Sequence, residues 1–240
     1  MTTYTETWSE LASARVVPVV VADGEAEGLN VADALRRGHL PIAEITFRVA
    51  GAAAAIRAIS EDYPEMLVGA GTVIRPDQVD AAVEAGARFL VSPGISEAVV
   101  ARARAHEIPI IPGVATPSDI MRAVELGLDT VKLFPAGTLG GPAAVKAFAA
   151  PFPGLRFVPT GGISAHNMGD YLMLPQVLAV GGSWMVDRAL VQGEDWERVT
   201  ELSRDAVELA EQVVASRPLP HPADLHPADS LGTAVEGEER

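Results

Sequence analysis

Eight short apolar runs, each closed or followed by Gly, Pro, Ser or Thr, recur along this chain at nearly constant intervals. The runs end near Val21, Thr46, Gly71, Ser92, Pro112, Phe134, Thr160 and Gly181. Successive ends lie 20 to 26 residues apart, which is just long enough for a strand, two loops and a crossover helix. Ala-rich amphipathic segments separate the runs, so each run predicts a parallel strand that is followed by a helix. Eight such units predict an α/β protein with a (β/α)8 TIM-barrel fold.

The competing architecture is a doubly wound open sheet, but that fold does not require eight evenly spaced units. We therefore expect a single barrel domain over residues 1–216. Before the first strand, residues 5–14 predict a short helix that covers the bottom of the barrel. After the last strand, residues 195–215 carry apolar side chains at helical spacing and predict the final helix.

Residues 217–240 differ in composition from the rest of the chain. They are rich in Pro, end in an acidic stretch and contain the sequence His-Pro-Ala-Asp twice. A segment with so few large apolar residues cannot bury enough surface to offset the entropy of ordering it, so we expect a disordered tail. The two repeats could in principle bind a metal, but a solvated tail is favoured because little framework would hold the ligands.

Composition argues against several classes of protein. The formal net charge of −14 argues against binding to nucleic acid or to an anionic membrane surface. The absence of cysteine excludes disulfides, thiolate catalysis, cysteine-ligated zinc and iron–sulfur clusters. The apolar runs are too short to span a bilayer, and the first residues lack the basic region of a signal peptide. We therefore expect a cytoplasmic protein.

One of the two lysines, Lys132, lies within an apolar run over residues 130–136 that predicts a buried strand. The chain has sixteen arginines, so it rarely uses lysine for surface charge. Arginine stays protonated in proteins, whereas a desolvated lysine can lose its proton and become a nucleophilic amine. Lys132 is therefore a candidate for Schiff-base formation. The alternative is a lysine whose ammonium group reaches the strand end and pairs with an acid.

The second apolar run also contains charged side chains. Strand alternation places Glu44, Thr46 and Arg48 on one side of that run. A glutamate in an apolar strand is either an acid–base catalyst or half of a structural ion pair, and Arg48 is the partner that the sequence offers. A buried lysine across the barrel favours the catalytic interpretation.

Glycine and proline mark the ends of the third, fourth and fifth strands. Gly69 and Gly71 precede Thr72, and we interpret these two glycines as positions where the backbone approaches a ligand closely. The fourth strand ends in Ser-Pro93-Gly, and the fifth ends in a Pro-Gly pair at residues 112–113. Turn formation alone is the favoured explanation for these two Pro-Gly pairs.

Glycine pairs follow the seventh and eighth strands, at residues 161–162 and 181–182. Many barrels build a phosphate site at these two strand ends, where exposed backbone N–H groups and a helix start hold the dianion. One glycine pair is weak evidence, but two at these positions predict a phosphate-binding site that needs no lysine.

The motifs that follow the strands also match a known family. They are Val17-Pro-Val19, Glu44-Ile-Thr-Phe-Arg48, Gly69-Ala-Gly-Thr72, Ser92-Pro-Gly94, Ile111-Pro-Gly113, Lys132-Leu-Phe-Pro-Ala136, Pro159-Thr-Gly-Gly-Ile163 and Gly181-Gly-Ser-Trp184. In this order they resemble the motifs of the 2-keto-3-deoxy-6-phosphogluconate aldolase family, whose members also cleave 4-hydroxy-2-oxoglutarate. The resemblance covers roughly residues 8–215. It implies a homotrimeric class I aldolase that needs no metal and no cofactor.

The resemblance also implies a role for each matched residue. Lys132 matches the Schiff-base lysine and Glu44 the acid–base glutamate, while Arg48 and Thr72 match positions that hold the pyruvyl carboxylate. The remaining matched positions are expected to bind the rest of the substrate, most of them its phosphate: Pro93, Phe134, Thr160, Gly161, Gly162, Gly181, Gly182 and Ser183. The chain departs from the family at Leu133, where many members carry an aromatic residue, and in the length of its tail.

The implied reaction is the Entner–Doudoroff cleavage of 2-dehydro-3-deoxy-6-phosphogluconate to pyruvate and glyceraldehyde 3-phosphate. An aldolase that acts mainly on 4-hydroxy-2-oxoglutarate, or on the 6-phosphogalactonate epimer, is the nearest alternative, because glycine pairs do not report hydroxyl stereochemistry. A barrel that binds phosphate without catalysis is an alternative of another class, and the intact Lys132 and Glu44 argue against it. A metal-dependent aldolase lacks a plausible ligand cluster in the sequence.

Overall fold

Parallel strands and helices alternate through the residues that the computed structural model describes, 4–217. The strands are β1 Val16–Val20, β2 Ile42–Thr46, β3 Leu67–Gly71, β4 Leu90–Val91, β5 Ile110–Ile111, β6 Gly113–Val114, β7 Thr130–Leu133, β8 Arg156–Phe157 and β9 Val180–Gly182. The helices are α1 Tyr4–Ala14, α2 Glu25–Arg37, α3 Ala52–Asp62, α4 Pro76–Glu84, α5 Glu97–Ala105, α6 Pro117–Glu125, α7 Gly141–Ala149, α8 Met168–Leu172, α9 Arg188–Gln192 and α10 Trp196–Ala215. A single 3-10 turn, Trp184–Val186, lies between β9 and α9.

The strands close into a ring. Six of them pair in the order β5-β4-β3-β2-β1-β9, and three pair in the order β6-β7-β8. Only Pro112 separates β5 from β6, so these two segments are halves of one barrel strand. Parallel bridges from Phe157 to Val177 and from Thr160 to Gly181 join β8 and the residues after it to β9 and the residues before it. The predicted (β/α)8 barrel is therefore confirmed, and the eight predicted strand ends lie within three residues of the observed ones.

Burial explains why the strands were visible as continuous apolar runs. Every residue of β1, β2 and β3 is buried, because helices cover the outer face and other side chains fill the interior. Within α6, Thr116 accepts a hydrogen bond from the Asp119 N–H, and the Asp119 carboxylate accepts one from the Thr116 N–H. This capping box, with Pro117 in the first turn, fixes where the helix after β6 begins.

The predicted N-terminal helix is confirmed as α1, which lies at the bottom of the barrel. Leu11 is buried in the core. Glu10 forms an ion pair with Arg88, which lies just before the amino end of β4. Together these contacts place α1 over the ends of the strands where the chain enters the barrel, away from their carboxyl ends.

The predicted final helix is confirmed as α10, whose first turn is capped by Asp195. Arg217 follows the helix and donates hydrogen bonds to the carbonyl oxygens of Leu172 and Val177. Burial, with a contribution from the nearby positive charge of Arg15, lowers the pKa of Arg217. These contacts fix the end of α10 against the barrel. The tail was predicted to begin at Arg217, which these contacts hold against the barrel. The rest of the predicted tail, residues 218–240 with the two His-Pro-Ala-Asp sequences, lies outside the described residues.

No helix between residues 4 and 217 is long and apolar enough to cross a bilayer.

Candidate active site

The barrel brings the predicted lysine and glutamate together. Lys132 lies on β7 and Glu44 on β2, and the lysine Nζ is 3.4 Å from Glu44 Oε1. The two residues are only 5% and 3% exposed. The sequence left open whether Glu44 pairs with Arg48, but the partner that the structure gives it is Lys132. A nearly buried amine beside a carboxylate is a pair that can exchange a proton within the site.

Glycine at position 71 makes room for the Glu44 carboxyl group. A Cβ atom on Gly71 would lie 2.2 Å from Glu44 Oε1, which no real contact allows. The space beside Gly69 is likewise filled by protein, because a Cβ atom there would lie 2.4 Å from the ring of Phe89. The prediction that these two glycines bring the backbone close to a ligand was therefore wrong. They accommodate a catalytic candidate and a core aromatic ring instead.

Phe134 connects Lys132 to the open part of the site. Its ring centroid lies 5.3 Å from Lys132 Nζ, within the distance of a cation–π contact. The ring is only partly buried, and Phe134 also lines a cleft at the carboxyl ends of the strands. A molecule in that cleft would therefore reach the lysine past this aromatic side chain.

Arg48 extends from the carboxyl end of β2 into the same cleft. Its Nε donates a hydrogen bond to Thr72 Oγ1 at 3.2 Å. Thr72 has a φ of +57°, which places this β-branched residue in the left-handed region where such residues are rare and strained. Strain of this kind persists where the surrounding structure fixes the residue, and here it directs the hydroxyl toward the arginine.

The cleft has a volume of about 430 Å³, a size typical of small-molecule sites. Eight of the residues predicted to form the site line it: Arg48, Phe134, Thr160, Gly161, Gly162, Gly181, Gly182 and Ser183. Lys132 and Glu44 are buried and do not line the cleft themselves, but the Phe134 ring lies between the cleft and Lys132, and Thr72 is linked to the cleft through Arg48. Pro93 does not line the cleft but lies exposed against Gly113, whose missing side chain leaves room for the Pro93 backbone.

The loop after β8, which is the seventh strand of the barrel, presents unpaired backbone donors. Gly161 and Gly162 have φ values of +95° and +75°, which favour glycine. Asn167 holds the loop by donating from Nδ2 to the Gly162 carbonyl oxygen at 2.9 Å. Between residues 4 and 217, the N–H groups of Gly161, Gly162 and Ser183 have no protein acceptor. Such a group of free donors is suited to an anion.

The second glycine pair has a different role from the first. The space beside Gly181 is occupied by Thr160, and the space beside Gly182 by the ring of Trp184. The helix start expected after this pair is the single 3-10 turn that begins at Trp184. Gly181 and Gly182 therefore allow side chains to pack at the cleft wall.

Sequence reasoning missed Arg188, which also lines the cleft. Its Nη1 donates hydrogen bonds to the carbonyl oxygen of Val21 at 3.0 Å and to Glu27 Oε1 at 2.7 Å. The available signal was its position five residues after Ser183, because the segments that follow barrel strands carry functional residues. Its neighbour Asp187 lines the cleft as well and caps α9.

Residues 4–217 contain no group of three or more His, Cys, Asp or Glu side chains that could hold a metal ion.

Comparison with known proteins gave consistent matches. The family model for KDPG and KHG aldolases matches residues 8–202. A 2-dehydro-3-deoxy-phosphogluconate aldolase of Pseudomonas aeruginosa is 49% identical over 195 residues, which cover 81% of this chain and 89% of that protein.

Two solved structures are also similar. One is a KDPG aldolase of Legionella pneumophila, captured with pyruvate as a covalent carbinolamine, with a TM-score of 0.80 and 39% identity over 84% of this chain and 97% of that one. The other is a 2-keto-3-deoxy-6-phosphogluconate aldolase of Zymomonas mobilis with 3-phosphoglycerate. Its TM-score is 0.80 at 38% identity, over 86% of this chain and 97% of that one.

Proposed function

The chain belongs to the KDPG and KHG aldolase family, and on this premise we propose that it is a class I aldolase acting through a lysine Schiff base. Its substrate is 2-dehydro-3-deoxy-6-phosphogluconate, and its products are pyruvate and glyceraldehyde 3-phosphate. The observation that carries the proposal is the buried pair of Lys132 and Glu44 beside the cleft. As a carbon–carbon lyase of the Entner–Doudoroff pathway, the enzyme would act in the cytoplasm on a phosphorylated sugar acid.

Lys132 is the nucleophile of the proposed mechanism. Its neutral amine adds to the C2 carbonyl of the substrate to give a carbinolamine, and loss of water leaves a protonated imine. The imine is an electron sink beside the C3–C4 bond that must break. The pyruvate carbinolamine of the Legionella pneumophila protein is chemistry of the same kind.

Glu44 is the acid–base group. It removes the proton from the C4 hydroxyl group, and the C3–C4 bond breaks. The electron pair of that bond moves toward the imine nitrogen, which gives an enamine. Glyceraldehyde 3-phosphate leaves as the aldehyde. The enamine is then protonated at C3, by Glu44 or by a water that it holds, and hydrolysis of the imine releases pyruvate and free Lys132. The 3.4 Å separation of the two side chains supports this shared role.

The two ends of the substrate are held by different groups. Arg48, oriented by Thr72, binds the pyruvyl carboxylate where its guanidinium lines the cleft. The free N–H groups of Gly161, Gly162 and Ser183, here named the phosphate cup, bind the phosphate at the outer end. Thr160 and Phe134 complete the walls between them. The 3-phosphoglycerate in the Zymomonas mobilis structure is a ligand of the same chemistry.

Activity mainly on 4-hydroxy-2-oxoglutarate or on the 6-phosphogalactonate epimer is the second candidate, which the description of the family as KDPG and KHG aldolase keeps open. The phosphate cup favours a phosphorylated substrate over 4-hydroxy-2-oxoglutarate. Comparing kcat/KM for the two epimers and for 4-hydroxy-2-oxoglutarate decides among them.

We propose further that the protein is a homotrimer, as the resemblance implies. Met121 and Val124 lie three residues apart on α6, and they are 55% and 50% exposed. Apolar side chains on one face of a helix favour burial against another copy of the chain. Sedimentation equilibrium should give a mass three times 25.1 kDa. A monomer in solution would contradict this part of the proposal.

The decisive experiment for the activity is reduction with borohydride in the presence of pyruvate, followed by mass mapping of the adduct. We expect an adduct on Lys132. Lys146, which is exposed on α7, is the internal control and should stay unmodified in the same sample. An adduct on Lys146 alone would show that the lysine was assigned incorrectly. No adduct and no turnover would favour the barrel that binds phosphate without catalysis.

A further inference from the structure

We propose that Arg188 is a specificity-determining residue that binds the phosphate group of the substrate. The proposal rests on the proposed function, because it adds a charged side chain to the phosphate cup. Arg188 begins α9 and lines the cleft together with Gly162 and Ser183. It takes no part in the contacts between Lys132 and Glu44 at the inner end.

The guanidinium group of Arg188 is held through one of its nitrogens. Nη1 donates to the Val21 carbonyl oxygen at 3.0 Å and to Glu27 Oε1 at 2.7 Å, which uses both of its hydrogens. Within residues 4–217, Nη2 and Nε donate to no protein acceptor. These two nitrogens form an edge of the guanidinium that matches two oxygens of a phosphate.

Glu27 is itself held in place, so it fixes Arg188 rather than following it. Its Oε2 accepts a hydrogen bond from the Asp23 N–H at 2.5 Å. Asp23 in turn accepts one from the Gly51 N–H at 3.0 Å through its Oδ1. The arginine is thereby ordered before a ligand arrives, and an ordered side chain loses less conformational entropy on binding.

The charges around the cleft leave one cation for the phosphate. Among residues 4–217, Arg48 and Arg188 are the basic residues that line it, and Asp187 is the acidic one. Asp187 Oδ1 accepts the Ala189 N–H at 2.9 Å and so caps α9. A phosphate monoester carries a charge of about −1.5 to −2 at neutral pH. Because Arg48 binds the carboxylate in the proposed mechanism, Arg188 remains as the partner of the phosphate.

The charge of the whole chain makes this cation more important. The formal net charge is −14, and the substrate carries both a carboxylate and a phosphate, so the two repel each other at long range. A guanidinium that lines the cleft offsets that repulsion where the phosphate binds. The competing interpretation is that Arg188 and Glu27 are only a surface ion pair that ties α9 to α2.

The test compares Arg188→Gln, Arg188→Lys and Glu27→Gln in the full chain. For each variant we would measure KM and kcat with the phosphorylated substrate and with 4-hydroxy-2-oxoglutarate, and the inhibition constant of inorganic phosphate. Arg188→Gln should raise the KM for the phosphorylated substrate and the inhibition constant of phosphate by about 10- to 100-fold, and affect 4-hydroxy-2-oxoglutarate far less. Glu27→Gln has an amide oxygen that can still hold Arg188. It should change the KM for the phosphorylated substrate and the inhibition constant of phosphate by less than about threefold.

Several outcomes would overturn the proposal. Equal effects of Arg188→Gln on both substrates, or the same effects from Glu27→Gln, would show that Arg188 is structural. Arg188→Lys keeps the charge but loses the paired donors. Its KM for the phosphorylated substrate should therefore lie between the KM values of Glu27→Gln and Arg188→Gln. If Arg188→Gln does not fold, an unchanged KM in Arg188→Lys rules out the paired contact.

Gly162→Ala separates this proposal from the proposed phosphate specificity. If it shifts the substrate preference while Arg188→Gln does not, the phosphate cup stands and the role of Arg188 is wrong. If neither variant shifts the preference, the phosphate specificity itself is also wrong.

Discussion

Lys132 and Glu44 lie on strands and are almost fully buried, whereas Gly161, Gly162 and Ser183 lie in segments that follow strands and offer backbone N–H groups to the cleft. The inner region is therefore made of side-chain chemistry, and the outer region mainly of backbone geometry. Replacement of an inner side chain removes a chemical group at fixed geometry. Replacement at an outer glycine leaves every donor in the chain but changes where the donors lie.

This difference predicts two kinds of kinetic defect. Variants of the inner region should lose kcat, because Lys132 and Glu44 act on the bonds that change. Variants of the outer region should mainly raise KM for the phosphorylated substrate, because the phosphate takes no part in bond breaking. If variants of either region show both a loss of kcat and a rise in KM for the phosphorylated substrate, the two regions do not act separately.

The largest effect is expected for Lys132→Arg. Arginine keeps the positive charge beside Glu44 but is not a nucleophile at neutral pH, so turnover should fall by at least about 10⁴-fold and imine trapping should disappear. Steady-state kinetics and borohydride reduction with pyruvate measure the two losses. Lys146→Arg is the matched control and should behave like the parent protein. Undiminished cleavage by Lys132→Arg would remove the lysine from the mechanism.

Glu44→Gln should have the next largest effect. The amide keeps the size of the side chain but cannot accept the proton of the C4 hydroxyl group, so kcat should fall by about 10²–10⁴-fold. Imine formation with pyruvate should survive, because Lys132 is retained. Single-turnover kinetics with borohydride trapping distinguish the two steps. A parental kcat would mean that Glu44 is only a structural partner of Lys132.

Gly71→Ala tests whether the position of the Glu44 carboxyl group matters as well as its presence. The new methyl group would lie 2.2 Å from Oε1, so the carboxyl group must move, and a displacement of about 1 Å can cost about 10²-fold in kcat. Gly69→Ala on the same strand displaces the Phe89 ring instead. Both variants should lose about 1–3 kcal/mol of stability by overpacking, measured by urea unfolding. Equal kcat values in the two variants would contradict the assigned role of Gly71.

The smallest effect is expected for Gly162→Ala, at the outer region. The nearest atom to a new Cβ is the Gly137 Cα at 3.4 Å, so the side chain fits, but the positive φ disfavours alanine by about 1 kcal/mol. Distortion of one donor should raise KM for the phosphorylated substrate by about tenfold, and affect 4-hydroxy-2-oxoglutarate far less.

Gly140→Ala is the control for the strain in that experiment. Gly140 also has a positive φ, +107°, and space for a methyl group, but it lies at the start of α7 and does not line the cleft. Its loss of stability should resemble that of Gly162→Ala without the rise in KM. If both substrates respond equally to Gly162→Ala, the backbone donors do not bind the phosphate.

The inner region could be predicted from the sequence because its residues break a pattern. Strands buried on both faces appear as continuous apolar runs, so Lys132 and Glu44 stood out as charges inside such runs. The barrel followed from the spacing of the same runs. The closure that brings β7 opposite β2 then accounts for the 3.4 Å contact between the two side chains.

The outer region and its supports were harder to predict. The role of Gly71 depends on how β2 and β3 are aligned, because the Glu44 Cα lies opposite Gly69 while its carboxyl group reaches Gly71. Arg188 is one of sixteen arginines, and only its position shortly after the last barrel strand sets it apart. Its role depends on the path of the chain after β9, which the spacing of apolar runs does not specify.

The contrast between Lys132 and Lys146 has a practical consequence for handling the protein. Reagents that acylate amines need an accessible neutral amine, and Lys132 is 5% exposed while Lys146 lies on the surface of α7. With two lysines in the chain, coupling to an activated ester should join the folded protein to a label or a solid support through Lys146 or the α-amino group. The cleft would stay open in every molecule attached through Lys146, and these molecules would share one orientation.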